Sequence, residues 1–169
     1  MQPHAGPAPE RSAWIGLGAN LGDARAALRS AIASLGELPL TRVLAQSSLY
    51  RTAPVDASGP DYFNAVAELA TRLAPQALLE ALQAIERRHG RERSFRNAPR
   101  TLDLDLLLYG DDIIATATLT VPHPRLHQRA FVLAPLAELW PETLVPGRGR
   151  VSELLRGVAD QVIERLPRG

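Results

Sequence analysis

The stretch Arg100-Thr101-Leu102-Asp103-Leu104-Asp105-Leu106-Leu107-Leu108-Tyr109 restricts the folds open to this chain more than any other. Its first half alternates polar and apolar residues, the period of a strand buried on one face. Leu102, Leu104 and Leu106 then face a core, while Thr101, Asp103 and Asp105 point out of the opposite face. Asp is depleted in strands, and like charges two residues apart on one face repel. Two readings are open. The acids mark the solvated face of an edge strand, where charge discourages pairing with another chain. Alternatively they hold a hard divalent cation, since Mg²⁺ is commonly bound by one or two carboxylates plus substrate phosphates.

A chain of 169 residues with 46% hydrophobic content fits one domain that buries roughly two-thirds of its surface. The net charge of +1 provides no global attraction toward nucleic acid or an anionic membrane. There is no lysine, so a phosphate clamp has to be built from guanidinium groups, which grip phosphate bidentately. The absence of cysteine excludes disulfides and thiolate metal sites, and a cytoplasmic location is expected. No apolar run approaches the ~18–20 residues of a membrane span. Residues 1–11 are rich in Pro and Ala without an apolar h-region. They are expected to form a disordered tail, not a signal peptide, ahead of a single domain over 12–169.

Ser12 to Gly18 reads as a first strand, running into Ala19-Asn20-Leu21-Gly22-Asp23. Its glycines are spaced G-x-G-x-x-x-G, one residue too long for a dinucleotide fingerprint, and no Walker A lysine follows. Asp23 is placed to cap a helix whose apolar positions are Ala27, Leu28, Ala31, Ile32 and Leu35, closed by Gly36 and Pro39. Thr41 to Thr52 is expected to be one long strand. A breaker-rich loop, Ala53 to Pro60, separates it from an alternating strand over Tyr62–Thr71. Asn64 is unusual in mid-strand; it is either a surface amide near a loop or a side chain offering a ligand both donor and acceptor. A helix is expected from Pro75 with Gly90 just past its end, burying Leu78, Leu79, Leu82 and Ile85 and placing Gln83 and Glu86 on another face.

From Arg87 to Arg100, both included, there are six arginines. Such runs are usually solvated loops or nucleic-acid patches. This one feeds directly into the Asp103/Asp105 strand, and arginines beside paired carboxylates are the two halves of a metal–polyphosphate site. Beyond the Gly110-Asp111-Asp112 turn, Ile113 to Val121 is strand-like. His123 lies between Pro122 and Pro124, which fix the local backbone and suit a positioned side chain. Ala130 to Leu139 reads as an apolar helix and Val151 to Leu166 as a closing amphipathic helix.

Taken together, these blocks resemble the hydroxymethyl-dihydropterin pyrophosphokinases of folate biosynthesis, from Ile15 to about Glu142. The resemblance rests on Gly16-Leu17-Gly18-Ala19-Asn20-Leu21-Gly22, Ser47 to Pro54, Tyr62-Phe63-Asn64-Ala65 and Ile85-Glu86 with the arginine loop. It rests most specifically on Pro99-Arg100-Thr101-Leu102-Asp103-Leu104-Asp105 together with Val121-Pro122-His123-Pro124 and Arg129-Ala130-Phe131. It implies an α+β, ferredoxin-like fold with a four-stranded antiparallel core sheet and helices packed on one side. It also implies transfer of the β,γ-pyrophosphoryl unit of ATP to the pterin hydroxymethyl group, releasing AMP. By the same resemblance Asp103 and Asp105 would bind two Mg²⁺ ions. Asn64 would bond the pterin edge, with Tyr62 and Phe131 flanking its ring and Thr52, Ala53 and Val55 nearby. Gln83, Glu86, Arg93, Arg100, Leu106, Thr120, His123 and Arg129 fall where the family contacts ATP, and Arg91, Arg93 and Arg100 join the aspartates as catalytic residues. The chain departs from some members at Asn97, where they carry a loop tryptophan, and at Pro124, where they carry tyrosine. A monomer acting on ATP and the pterin, without nucleic-acid or membrane partners, is expected.

The residues are compatible with that chemistry on their own terms. Phosphoryl-type transfer asks mainly for positioning and charge neutralisation, and no Ser-His-Asp arrangement is present to demand otherwise. An RNA-binding sheet is the alternative of a different class. Its signature, exposed strand aromatics on which bases stack, is missing from a chain with 5% aromatic residues.

Overall fold

The computed structural model describes residues 9–20, 23–53, 61–92 and 101–167, with the side chains of residues 90–92 and 101 left out of the description. In chain order the elements are β1 (Arg11–Asn20), α1 (Ala24–Gly36), β2 (Thr41–Gln46), β3 (Tyr50–Thr52), β4 (Tyr62–Thr71), α2 (Pro75–Glu92) and β5 (Thr101–Tyr109). They continue with β6 (Ile114–Ala115), β7 (Thr120–Val121), a 3₁₀ turn (Leu126–Gln128), α3 (Ala130–Leu139), β8 (Leu144–Val145), β9 (Gly149–Arg150), α4 (Val151–Arg156) and β10 (Glu164–Arg165). The main sheet is antiparallel in the order β10-β3-β4-β1-β5, with β2 sharing the β3 side of β4. Two short hairpins, β6-β7 and β8-β9, stand apart from it.

Alternation along the central strands divides the interior into two cores. Ala13, Ile15 and Leu17 of β1, Ala67 and Leu69 of β4 and Leu102, Leu104 and Leu106 of β5 meet α1 and α2 on one face. Asp23 caps α1 as expected, its carboxylate accepting from the Ala26 N–H at 3.0 Å, and Leu28, Leu35, Leu78, Leu82 and Ile85 are fully buried beneath the two helices. These are the expected helices on one side, and the layering extends further. On the opposite face Trp14, Val66, Leu107 and Leu108 pack against Leu133 and Leu136 of α3 and Val151 of α4. A bulge permits this: Trp14 pairs with Leu108 and Ile15 with Leu106, so the extra residue Leu107 shares a face with Leu108. Only one end of the second face is covered in this way. The other end, where Gly16, Gly18, Asn64, Asp103 and Asp105 lie, is open.

The structure corrects four of the expected elements. The single strand expected over Thr41–Thr52 is two. Ser47 still exchanges bonds with Val66, donating its N–H to the carbonyl and accepting the Val66 N–H on its hydroxyl, both at 2.9 Å. The Ser48 N–H, however, turns away to the Glu138 carboxylate at 3.0 Å, which ends the ladder. Helix α2 runs through Gly90 to Glu92, because one glycine costs a helix only about 1 kcal/mol and its buried stripe holds it on β5. Ile113–Val121 is not a strand but a minimal hairpin, since the Thr116 hydroxyl accepts from the Thr118 and Leu119 N–H groups and bends the chain. The closing helix stops at Arg156 before Gly157. The residues after it return to the sheet, where the Leu166 N–H donates to the Leu49 carbonyl at 2.9 Å. At the other terminus β1 begins at Arg11, whose guanidinium pairs with Asp112 at 2.8 Å, so the expected tail is shorter by at least that residue.

Candidate active site

The rows of the sheet place the polar residues. Across the open face Asn64 pairs with Gly18 and Gly18 with Asp103, and Val66 pairs with Gly16 and Gly16 with Asp105. Strand β1 therefore contributes two residues without side chains between β4 and β5, and a floor is left where two side chains would stand. A Cβ on Gly18 would meet Asn64 Oδ1 at 3.1 Å, and one on Gly16 would meet the Leu107 side chain at 3.3 Å. Above this floor is a cavity of about 640 Å³. Thr52, Ala53, Tyr62 and Asn64 line one side, Asp103 and Asp105 another, and Arg129 and Phe131 a third. Asn64 is buried, and its amide donates to the Thr52 hydroxyl at 3.3 Å. The Arg129 guanidinium lies 5.4 Å from the centre of the Phe131 ring, close enough for a cation–π contact that orients both.

The two aspartates stand at the boundary between this cavity and the outer edge of β5. That edge is an edge of the sheet, so its backbone needs other partners. The Glu86 carboxylate accepts the Leu104 N–H at 2.7 Å, and the His123 N–H donates to the Leu107 carbonyl at 3.0 Å. Helix α2 carries Gln83 and Glu86 against this edge, and β7 carries Thr120. His123 is held in one tautomer. Its Nδ1 accepts the Arg125 N–H at 3.1 Å, leaving the proton of the neutral ring on Nε2, which lies 4.0 Å from Asp105 Oδ2. Burial lowers the His123 pKa, and Arg129 and Arg125 lower it further against the opposing charge of Asp105. With Nδ1 occupied, Nε2–H is the donor the neutral ring has available on the side of Asp105.

Burial raises the Asp103 pKa, and the Asp105 charge raises it again, with Arg129 opposing. Burial is also the main cause of the raised Glu86 pKa; the Leu104 N–H counteracts it, and the charges of Asp103 and Asp105 add to it. Among the described residues Asp103 has no ion pair within 4.0 Å, and no group of three or more His, Cys, Asp or Glu gathers as a ready-made metal cage. Two adjacent carboxylates beside open space suit a hard cation that takes the rest of its shell from a ligand.

The structure thus brings Thr52, Ala53, Tyr62, Asn64, Asp103, Asp105, Arg129 and Phe131 into one cavity, with His123 at its border. Gln83, Glu86, Leu106 and Thr120 do not line the cavity, and the Leu106 side chain points into the first core. Arg91 is on the last turn of α2, with its side chain outside the described residues. Val55, Arg93, Asn97 and Arg100 also lie outside them. Sequence reasoning placed Gly16 and Gly18 in the first strand but gave them no part in the site. Their spacing of two within a strand was the available signal that both face one side. Arg125 and Gln128 also line the cavity, and their proximity to His123 in sequence was the only hint.

The sequence profile of the 7,8-dihydro-6-hydroxymethylpterin-pyrophosphokinase (HPPK) family matches residues 14–141. The chain is 45% identical over 155 residues to the 2-amino-4-hydroxy-6-hydroxymethyldihydropteridine pyrophosphokinase of Pseudomonas aeruginosa, covering 91% of this chain and 96% of that one. It is 47% identical over 128 residues to the enzyme of the same name from Bacillus subtilis, covering 75% and 77%. Among solved structures, the wild-type Plasmodium falciparum HPPK-DHPS with pteroate superposes with a TM-score of 0.74 at 13% identity. The match covers 93% of this chain but 44% of that one, so the present chain spans under half of that protein's length. At such identity it is the fold that is shared. On the sequence evidence, the chain belongs to the 7,8-dihydro-6-hydroxymethylpterin-pyrophosphokinase family.

Proposed function

We propose that this chain transfers the pyrophosphoryl unit of ATP to the hydroxymethyl group of 6-hydroxymethyl-7,8-dihydropterin in folate biosynthesis, giving the pterin diphosphate and AMP. The observation that carries the assignment of residues is the position of Asp103 and Asp105 between two different environments. On one side is a cavity with a buried amide and aromatic walls, suited to a flat heterocycle rich in donors and acceptors. On the other is the polar edge of β5, flanked by Gln83, Glu86, Thr120 and His123, suited to a nucleotide.

In this reading Asn64 bonds the pterin edge, Tyr62 and Phe131 flank its ring, and Thr52, Ala53 and Val55 complete the pocket. Arg129 reaches the phosphate chain from the pterin side, and the His123 Nε2–H donates to it from the nucleotide side. Arg91, Arg93 and Arg100 are the arginines assigned to charge that shifts onto the leaving AMP phosphate. Asp103 and Asp105 would hold two Mg²⁺ ions, which supply neutralisation of the triphosphate and activation of the attacking alcohol. The adjacent carboxylates, with no ion pair to Asp103 among the described residues, support that assignment. A monomeric, cytoplasmic enzyme without a nucleic-acid partner is the corresponding reading, supported by the near-neutral charge. No described helix is long and apolar enough to cross a membrane.

The direct test is AMP formation from ATP with and without the pterin and Mg²⁺. AMP that depends on both is expected; ADP would place the attack on the γ-phosphorus and overturn the reading. The glycine floor gives a second test. Gly18→Val should displace Asn64 and fill the space beneath the ring, a strain of about 1–3 kcal/mol. The pterin KM is then expected to rise about tenfold or more, with a smaller change in the KM for ATP. Equal changes in both would count against the assignment of the two sides.

A further inference from the structure

Resting on this reading, we propose that residues 161–163, beyond the segment matched by the family profile, form the outer wall of the pterin subsite. Gln161 acts as a positioning residue for Arg129 and Phe131, and Val162 is an apolar contact that bound pterin covers.

The segment is a strap fixed at both ends. Before it, Val158 is buried in the second core. After it, β10 pairs with β3, Arg165 donates to Glu138 at 3.2 Å, and Leu166 is buried. Between these anchors Gln161, Val162 and Ile163 line the same cavity as Asn64 and Asp103.

Gln161 makes two bonds of 2.9 Å, accepting the Ala130 N–H on Oε1 and donating Nε2 to the Gln128 carbonyl. Ala130 is the first residue of α3, and Arg129 provides no side-chain cap there. The free N–H groups of a helix start need acceptors, and Gln161 supplies one from 31 residues away. The two residues it grips lie on either side of Arg129, and Phe131 follows directly. The directions of the side chains that face both the pterin ring and the phosphates are therefore set in part by this amide.

Val162 is 89% exposed. A single exposed valine is ordinary on a protein surface. This one, however, lines the same cavity as Tyr62 and Asn64, and its neighbour Ile163 packs on the second core. An exposed side chain at that position contributes little to folding and becomes covered only when a ligand enters.

The test compares Val162→Ala, Val162→Asp and Gln161→Ala with wild type. Pterin titration in the presence of a non-hydrolysable ATP analogue is measured alongside steady-state KM, kcat and Tm. Val162→Asp is expected to raise the pterin Kd and KM about tenfold, and Val162→Ala about threefold, roughly the loss of part of one buried side chain. The KM for ATP and the Tm should stay at wild-type values. Gln161→Ala should raise the pterin KM and lower kcat together, and Gln161→Glu, which keeps an acceptor at the start of α3, should recover part of the loss. An unchanged pterin Kd in Val162→Asp would overturn the proposal. So would equal losses of pterin and ATP affinity accompanied by a fall in Tm, the pattern of general damage. Wild-type protein that failed to form pterin-dependent AMP would instead overturn the underlying reading.

Discussion

Asp105→Asn and Asp103→Asn are each expected to lower kcat by about two to three orders of magnitude or more, the scale of loss when one preorganised electrostatic group is removed from a reacting centre. Their Tm should not fall. Both side chains project from the open face of β5 and neither packs in a core, while the leucines that alternate with them are buried. Replacing one of two like charges also relieves a repulsion that the chain tolerates without any ion pair to Asp103 among the described residues. The isosteric change keeps strand and register, so circular dichroism and thermal melts should match wild type while AMP formation is lost. A variant that kept near-wild-type turnover would remove the two aspartates from the mechanism. A variant that lost its fold would show that they serve the sheet.

The largest effect on stability is expected at Glu138. This α3 carboxylate is 9% exposed. It accepts the Ser48 N–H at 3.0 Å, the Ser48 hydroxyl at 2.9 Å and the Tyr50 hydroxyl at 2.9 Å, and it pairs with Arg165. It therefore ties the break between β2 and β3 to the helix above and to the C-terminal strand. Glu138→Leu fills the space but leaves a backbone donor and two hydroxyls without their acceptor. Bonds to a charged group are worth about 1.5–3 kcal/mol each, and each stranded buried donor costs about 1–3. Since the contributions are not additive, the expected loss is about 3–5 kcal/mol. For a domain of this size, that lowers Tm on the order of 10 °C. A denaturant or thermal melt within about 0.5 kcal/mol of wild type, the range of ordinary surface changes, would show that the network contributes nothing net.

Legibility in the sequence followed the range over which each element is determined. Strands β1, β4 and β5 and helices α1 and α3 carry their period within a few residues, α1 its cap as well, and each is found close to where the pattern puts it. The failures are elements settled by distant partners. Ser47 to Leu49 reads as strand, because nothing local reveals that a carboxylate ninety residues away will take the Ser48 N–H. Val151 to Leu166 reads as one amphipathic helix, because its later apolar residues are spaced for a helix but serve separate places: Val158 in the second core, Val162 on the cavity wall and Leu166 beside Leu49. The site was legible for a different reason. Asp103, Asp105 and Asn64 violate strand propensity, and residues that oppose local structure tend to be kept for chemistry. Gly16, Gly18 and the strap were not legible, since a missing side chain and a wall contributed from the far end of the chain leave no such contradiction.

The bulge at Leu107 has one more consequence. Before it, odd-numbered residues of β5 face the site; after it, Leu108 takes over that face and Tyr109 returns to the first core, its hydroxyl donating to the Leu73 carbonyl at 2.6 Å. The extra residue thus acts as an expansion joint. It lets the half of the strand that carries charge and the half that carries the hydrophobic load keep separate phases. Substitutions can accumulate in one half without forcing the other out of step.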